Sequence, residues 1–305
     1  MAVLNRTRPL RSLLLAAVLA LSACGGGDDG GGSAAGGEPP TLVIGGIPDQ
    51  EVALLEERFS GLADHLSEQV DIPVRYQPST DYAALVTAFA NGDVTLGWFG
   101  GLTGVQARLE TPGAHAVAQR PIDREFRSVF IAGTGVDAEG LEDFAGTRFT
   151  FGSESSTSGH LMPRFFLDEA GIDPDADFDG APGYSGSHDK TFALVEAGSF
   201  EAGVLAESVW DRAVAEGDVD TSRVREVTRS PDYVDYHWLA SPEIDETYGS
   251  GTTDRIVEAL LTMDEAGPEA QRVLRLFEDD SFVEAQDEDY GRIEQVAREL
   301  GLVGG

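Results

Sequence analysis

Four consecutive hydroxyls, Ser155 to Ser158, lie in the stretch Phe149-Thr-Phe-Gly-Ser-Glu-Ser-Ser-Thr-Ser-Gly-His-Leu-Met-Pro163, between a strand-like end at Phe151 and a helix-like spacing of Leu161, Phe165 and Phe166. One Ser or Thr is enough to cap a helix; four with a glycine exceed that need. Backbone N–H groups at a helix start are unpaired, and the helix dipole favours an anion there. The hydroxyls of Ser156, Thr157 and Ser158 would add uncharged donors. A second turn, Tyr184-Ser-Gly-Ser-His-Asp-Lys190, precedes a helix over residues 191–197 that stops at Gly198. Ser187 is its expected N-cap, which places His188 in the first helical turn. Ser79-Thr-Asp-Tyr82 puts Tyr82 at a third helix start, and a fourth follows Trp98-Phe99-Gly100-Gly101. The chemistry this implies is capture of a small anion by helix N-termini and neutral side chains, not by Lys or Arg.

Other chemistries fit less well. A serine hydrolase could use the Ser155–Ser158 turn, with His188 or His160 as base. Its nucleophile elbow would need Gly-x-Ser-x-Gly, and both Gly183-Tyr-Ser-Gly-Ser187 and Gly152-Ser-Glu-Ser-Ser156 fail at the last position. No orienting carboxylate is identifiable, so the chain is expected not to be an enzyme and to need no cofactor. For a metal-binding lipoprotein of an ABC importer, the ligands would have to come from His65, His115, His160, His188 and His237, which show no paired spacing. Asp173-Pro-Asp-Ala-Asp-Phe-Asp179 lacks the central Gly and terminal Glu of a calcium loop. No metal is expected. A purely structural surface lipoprotein would leave the two similar helix starts without a purpose.

The elements that must position these turns alternate. Strand-like runs at residues 41–45, 72–76, 94–99, 116–118, 128–132, 148–151 and 202–206 are separated by helix-length segments such as 50–70, 81–90 and 102–109. That alternation predicts parallel α/β sheets with helices on both faces, and in open sheets of this kind ligands sit at the carboxyl ends of strands. The final third differs: residues 256–263, 269–277 and 290–300 are predicted as successive helices without strands between them.

The N-terminus carries Arg6, Arg8 and Arg11, then an apolar run from Ser12 to Leu21 that is too short to span a bilayer. Residues 1–23 are expected to be a secretory signal peptide. Leu21-Ser-Ala-Cys24 resembles the lipobox of bacterial lipoproteins, which implies lipidation of Cys24, the chain's one cysteine. Residues 24–40 then supply a Gly-rich tether, and the expected location is outside the cell, anchored to its membrane. The net charge of −33 excludes nucleic acid and anionic lipid surfaces as partners. Lys190 is the only lysine.

Taken in order, Thr80-Asp-Tyr-Ala-Ala84, Gly92-Asp-Val-Thr-Leu-Gly-Trp-Phe-Gly100, Ser156-Thr-Ser-Gly159 with Pro163, and Ser185-Gly-Ser-His-Asp189 are similar to the phosphate/phosphite/phosphonate-binding protein family of ABC importers. Phe99 to Arg108 and Gly152 to Gly159 most resemble its selenate-binding branch. The resemblance implies a two-lobed α/β fold of the periplasmic-binding-protein type II, each lobe a mostly parallel sheet flanked by helices, closing on its ligand about a hinge. Residues 41–127 plus 234–305 would form lobe 1 and residues 128–233 lobe 2. The substrate-binding residues it implies are Tyr82, Trp98, Ser156, Thr157, Ser158 and His188. The ligand would be a small tetrahedral oxyanion, the partner a membrane permease, and the protein a monomer. A carboxylate facing the ligand would favour a protonated phosphorus oxyanion over selenate. Asp49 and Glu207, each just after a strand, are candidates for that role, with solvated positions as the alternative.

Overall fold

The computed structural model describes residues 40–304. The expected signal peptide, Cys24 and nearly all of the tether lie outside the described residues. The chain opens with β1 (Leu42–Gly46), α1 (Val52–Val70), β2 (Val74–Pro78), α2 (Tyr82–Ala90), β3 (Leu96–Phe99), α3 (Gly101–Glu110) and β4 (His115–Gln119). It continues through β5 (Ser128–Gly133), β6 (Phe149–Phe151), α4 (Met162–Glu169), β7 (Gly183–Tyr184), α5 (His188–Glu196), β8 (Ala202–Ala206), α6 (Glu207–Glu216) and β9 (Val224–Arg229). It ends with β10 (His237–Ala240), α7 (Glu243–Tyr248), α8 (Thr252–Leu261), α9 (Pro268–Leu276), β11 (Val283–Glu284) and α10 (Gly291–Glu299).

Two sheets result, in the orders β11-β4-β10-β3-β1-β2 and β7-β6-β8-β5-β9. In the first, β1 lies parallel between β2 and β3, with Ile44 opposite both Tyr76 and Leu96. β10 is inserted antiparallel between β3 and β4, and Trp238 sits opposite Trp98. In the second, β6 runs parallel to β7 and β8, while β5 is antiparallel to β8 and β9. The fold is two-lobed and α/β, and most strands of each sheet point one way. The mostly parallel sheets expected are found; β5 and β10, the strands by which the chain enters the second sheet and returns to the first, run against the majority, as does the short β11. The direction of β5 and β10 is set by that crossing, which residue periodicity does not encode. The expectation of strand-free C-terminal helices is corrected by β11 pairing with β4; a two-residue strand is too short to show a period.

The helix expected over residues 50–70 is α1: Leu55, Phe59, Leu62 and Leu66 are buried on one face, while Val52, at its first residue, is exposed. Phe59 meets Trp238 and Phe277 edge-on at 6.1 and 5.6 Å, which ties α1 and the segment after α9 to the first sheet. α8 and α9 pack on α1, and α10 packs on α3. The second sheet has its own aromatic core of Phe130, Phe144, Phe149, Phe151 and Phe178. The chain passes between the sheets twice, and the two crossings pair with each other. Phe126 N–H donates to the Tyr233 carbonyl at 2.8 Å, and Tyr233 N–H returns the bond at 2.9 Å.

Candidate functional site between the two sheets

The hydroxyl turn follows β6. Ser156 Oγ accepts Gly159 N–H at 2.9 Å, as an N-cap should. The next residues, Thr157–Leu161, wind as a single π turn before α4 begins, with Leu161 N–H reaching the Ser156 carbonyl at 3.0 Å. This wider turn replaces the immediate α-helix predicted from the sequence; π turns inside helices are rare and frequent at functional sites. Gly159 is required by its surroundings. A Cβ there would lie 2.9 Å from Ser156 Oγ, 3.1 Å from Gly152 Cα and 3.2 Å from His188 Cε1. Its missing side chain lets the hydroxyl turn and the histidine turn meet.

His188 is fully buried at the start of α5. Ala206 N–H lies 3.3 Å from Nδ1; an amide only donates, so Nδ1 is the acceptor. Burial pushes the imidazole pKa down to about 4, so the ring is neutral near pH 7 and its proton sits on Nε2. That nitrogen is 3.2 Å from the Tyr236 hydroxyl. His188 therefore presents a neutral N–H donor across the gap between the lobes.

Tyr82 supplies another donor. Its ring is buried at the first turn of α2, and its hydroxyl has no protein partner in hydrogen-bond geometry. Burial, with Asp49 nearby, raises its pKa well above the ordinary value, so it stays protonated; the Ser156 hydroxyl is beside it. Two carboxyls face the same cluster. Asp235, just before β10, accepts Gly101 N–H on Oδ1 at 2.9 Å, while its buried Oδ2 is unpaired. Burial pushes the Asp235 pKa up to about 7, against the Gly101 amide and the nearby Thr157 and Ser158 hydroxyls. Asp49, after β1, is also buried with Oδ1 unpaired. Burial raises its pKa, opposed chiefly by Arg58. Asp49 thus faces inward and is not solvated. Glu207 is buried too but turned away: it accepts Arg127 N–H at 2.9 Å and pairs with Arg229 at 3.1 Å.

The helix N-termini differ from the sequence expectation. The first amides of α3 are taken by the protein itself, Gly101 by Asp235 and Leu102 by Thr157 Oγ1, each at 2.9 Å. His188 N–H at the start of α5 donates to the Asp49 carbonyl at 2.9 Å, and Asp81 caps α2 through Ala84 N–H at 2.8 Å. Buried N–H groups are almost always paired; Leu102 and His188 find their partners on the opposite lobe, and Gly101 and Ala84 within their own. What is left to hold an anion is mainly the side-chain donors Tyr82, Ser156, Thr157 and Ser158, with His188 Nε2–H facing them from its contact with the Tyr236 hydroxyl.

Trp98 occupies a position behind this cluster. It stacks on Tyr236 with centroids 5.6 Å apart at 16°, and the Arg120 guanidinium lies over Tyr236 at 4.9 Å and over Trp98 at 5.6 Å. Arg120 is held by Asp123 at 2.7 Å, so it is not free to pair with a ligand. Sequence reasoning missed Asp235 and Tyr236. The only signal was their place in the dense polar–aromatic run Tyr233-Val-Asp-Tyr-His-Trp238, within the second crossing. Among the described residues, no group of three or more His, Cys, Asp or Glu side chains is arranged to hold a metal, and no helix is long and apolar enough to cross a membrane.

Residues 44–290 match the family described as "ABC transporter, phosphonate, periplasmic substrate-binding protein". A curated relative in Prochlorococcus marinus (strain MIT 9301), the "Probable ABC transporter phosphite binding protein PhnD1", is 40% identical over 268 residues, covering 86% of this chain and 90% of its own. The "Phosphate-import protein PhnD" of Mycolicibacterium smegmatis is 29% identical, covering 70% and 71%. A solved structure of the Prochlorococcus PhnD1 with methylphosphonate superimposes with a TM-score of 0.83, over 86% of this chain and 99% of that one. A phosphonate-transporter binding protein from Pseudomonas aeruginosa, 18% identical with a TM-score of 0.74 over 85% and 86%, shares the fold. This chain belongs to the phosphonate-binding family of extracytoplasmic ABC-transporter substrate-binding proteins, and it is a binding protein, not an enzyme.

Proposed function

We propose that this protein captures a small phosphorus oxyanion, methylphosphonate or phosphite, between its lobes and delivers it to an ABC permease. The observation that carries this is the Tyr82 hydroxyl and Asp235 Oδ2, both buried and unpaired, beside the hydroxyl turn and the neutral His188. Uncharged donors from Tyr82, Ser156, Thr157, Ser158 and His188 surround the anionic oxygens. Hydrogen bonds to an ionised acceptor are about twice as strong as neutral ones. Asp235 accepts the proton that a phosphonate or phosphite monoanion carries. Asp49 places a second buried carboxyl on the other side, an acceptor that a fully ionised selenate or sulfate has no proton to satisfy. The likeness to PhnD1, whose structure holds methylphosphonate, supports the same choice.

The lobes in this proposal are residues 41–127 plus 234–305 and residues 128–233, with the hinge at the paired crossings around Phe126 and Tyr233. The protein acts as a monomer, held to the membrane through a lipidated Cys24 and the Gly-rich tether. A thermal-shift titration with phosphate, phosphite, methylphosphonate, sulfate, selenate and selenite tests the ligand. Ligand at a thousand times its dissociation constant adds about 4 kcal/mol. The expected result is a shift for methylphosphonate or phosphite that is lost in Ser156→Ala and His188→Ala. A shift for selenate alone would assign the protein to selenate import, and no shift for any anion would overturn the oxyanion proposal.

A further inference from the structure

Glu278 lies outside the ligand cluster, in the turn after α9, and has the left-handed backbone angle φ 64°. A glutamate adopts that conformation only at a cost, so its surroundings must hold it there. Its side chain is buried and meets three arginines. Arg120 Nη1 is 3.5 Å from Oε2, and Arg58 Nη2 is 3.7 Å from Oε1. Both belong to the first lobe's own elements. The third, Arg212, comes from α6 on the second sheet's side of the cleft, with Nε 3.3 Å from Oε1. Burial pushes the Glu278 carboxyl up, but Arg58, Arg120, Ser208 and Arg212 outweigh it and hold it below the ordinary range. The acid is therefore charged near pH 7.

The contact with Glu278 is an ion pair outside hydrogen-bond geometry, and the same Arg212 donates a hydrogen bond through Nη2 to Gln50 Oε1. Gln50 adjoins Asp49, whose carbonyl receives His188 N–H from the second lobe. One side chain thus crosses from the second lobe to two points of the first, and one of those points is the loop that carries a ligand-site acid. Among the described residues, the polar partners of Arg212 are Gln50 and Glu278, not the anion-holding residues.

We infer that Arg212 is an affinity-setting residue: it latches the lobes together through Glu278 and Gln50 and so raises ligand affinity without contacting the ligand. Contacts made only in the closed state increase the fraction of molecules competent to hold ligand, and apparent affinity scales with that fraction. Arg58 and Arg120 keep Glu278 paired when the lobes part, so the first lobe stays intact and only the latch is lost. The inference rests on the proposed oxyanion function for its ligand, but not for its geometry.

The test compares the parent protein with Arg212→Met, which keeps the apolar stem and removes the charge. Stopped-flow tryptophan fluorescence with methylphosphonate and with phosphite gives the rates, and small-angle scattering gives the radius of gyration. The expected result is affinity weakened by about tenfold, carried by faster dissociation with a nearly unchanged association rate. The unliganded melting temperature should stay the same. Arg212→Lys should recover part of the loss. Unchanged affinity, or a loss matched by a lower unliganded melting temperature, would overturn the latch. If the parent binds neither anion, the oxyanion proposal fails, and scattering then decides the latch separately. A larger radius in Arg212→Met would support it, and equal radii would overturn it.

Discussion

Thr157 Oγ1, on the second lobe, accepts the Leu102 N–H of the first at 2.9 Å. A helix amide that would otherwise be open to a ligand is capped from across the cleft. The acceptor lone pair of Thr157 is used by the partner lobe, and its hydroxyl proton remains free to donate. One side chain therefore serves lobe contact and anion binding together, which links closure to the presence of ligand.

Tyr82→Phe should separate stability from binding. The hydroxyl has no protein partner, so removing it relieves a buried unpaired group, and the unliganded melting temperature should hold or rise. Binding should weaken by roughly 10- to 100-fold, the worth of one hydrogen bond to an ionised oxygen. Calorimetric titration beside a melting curve checks both parts.

Asp235→Asn should change the choice of ligand and its pH dependence. The parent complex holds one proton between Asp235 and the ligand. Above both the Asp235 pKa of about 7 and the ligand's own second ionisation, neither partner carries that proton before they meet, so binding takes one up. Affinity should then fall by about tenfold per pH unit. In Asp235→Asn that slope should flatten, and selenate or sulfate should gain relative to methylphosphonate. The unliganded parent should also lose stability as pH rises from the ordinary carboxyl range towards 7, because the raised pKa favours the protonated acid in the folded state. Asp235→Asn should not show that loss. Melting curves at pH 5 and pH 8 measure it.

Gly100→Ala should prop the lobes apart. A Cβ at Gly100 would sit 3.0 Å from Thr157 Oγ1 and 3.2 Å from Asp235 Oδ1, tighter than normal contact, in the seam where the lobes meet. The crowding is relieved when the lobes part, so unliganded stability should change little. Affinity should drop by roughly tenfold or more, a strain cost of about 1–3 kcal/mol. Scattering with saturating methylphosphonate should show a larger radius than the parent complex.

His188 should make the protein acid-sensitive. Its pKa is pushed from the ordinary value near 6.5 down to about 4 by burial. An unfolded chain protonates this ring below 6.5 and the folded chain does not. Its contribution to stability is therefore complete above pH 6.5 and is lost as pH falls towards 4. In His188→Gln that part of the acid loss should vanish, measured as the change in melting temperature between pH 7 and pH 5.

The sequence alone determined the local chemistry. Hydroxyls stacked before an apolar helix, a serine and histidine at a second helix start, and Tyr82 at a third are features of short spacing, because capping and amphipathic periodicity act within a few residues. The alternation of strands and helices likewise conveyed an α/β fold. The tertiary structure decided which groups those turns face. Asp235 joins the site by capping Gly101 from 134 residues away. Tyr236 reaches His188, and Arg212 reaches Glu278, only because the chain crosses twice between the sheets. The amides of α3, exposed donors on paper, are consumed where the lobes meet. Such pairings satisfy buried polar groups over long separations, and nothing in the spacing of neighbouring residues records which distant partner will supply the bond.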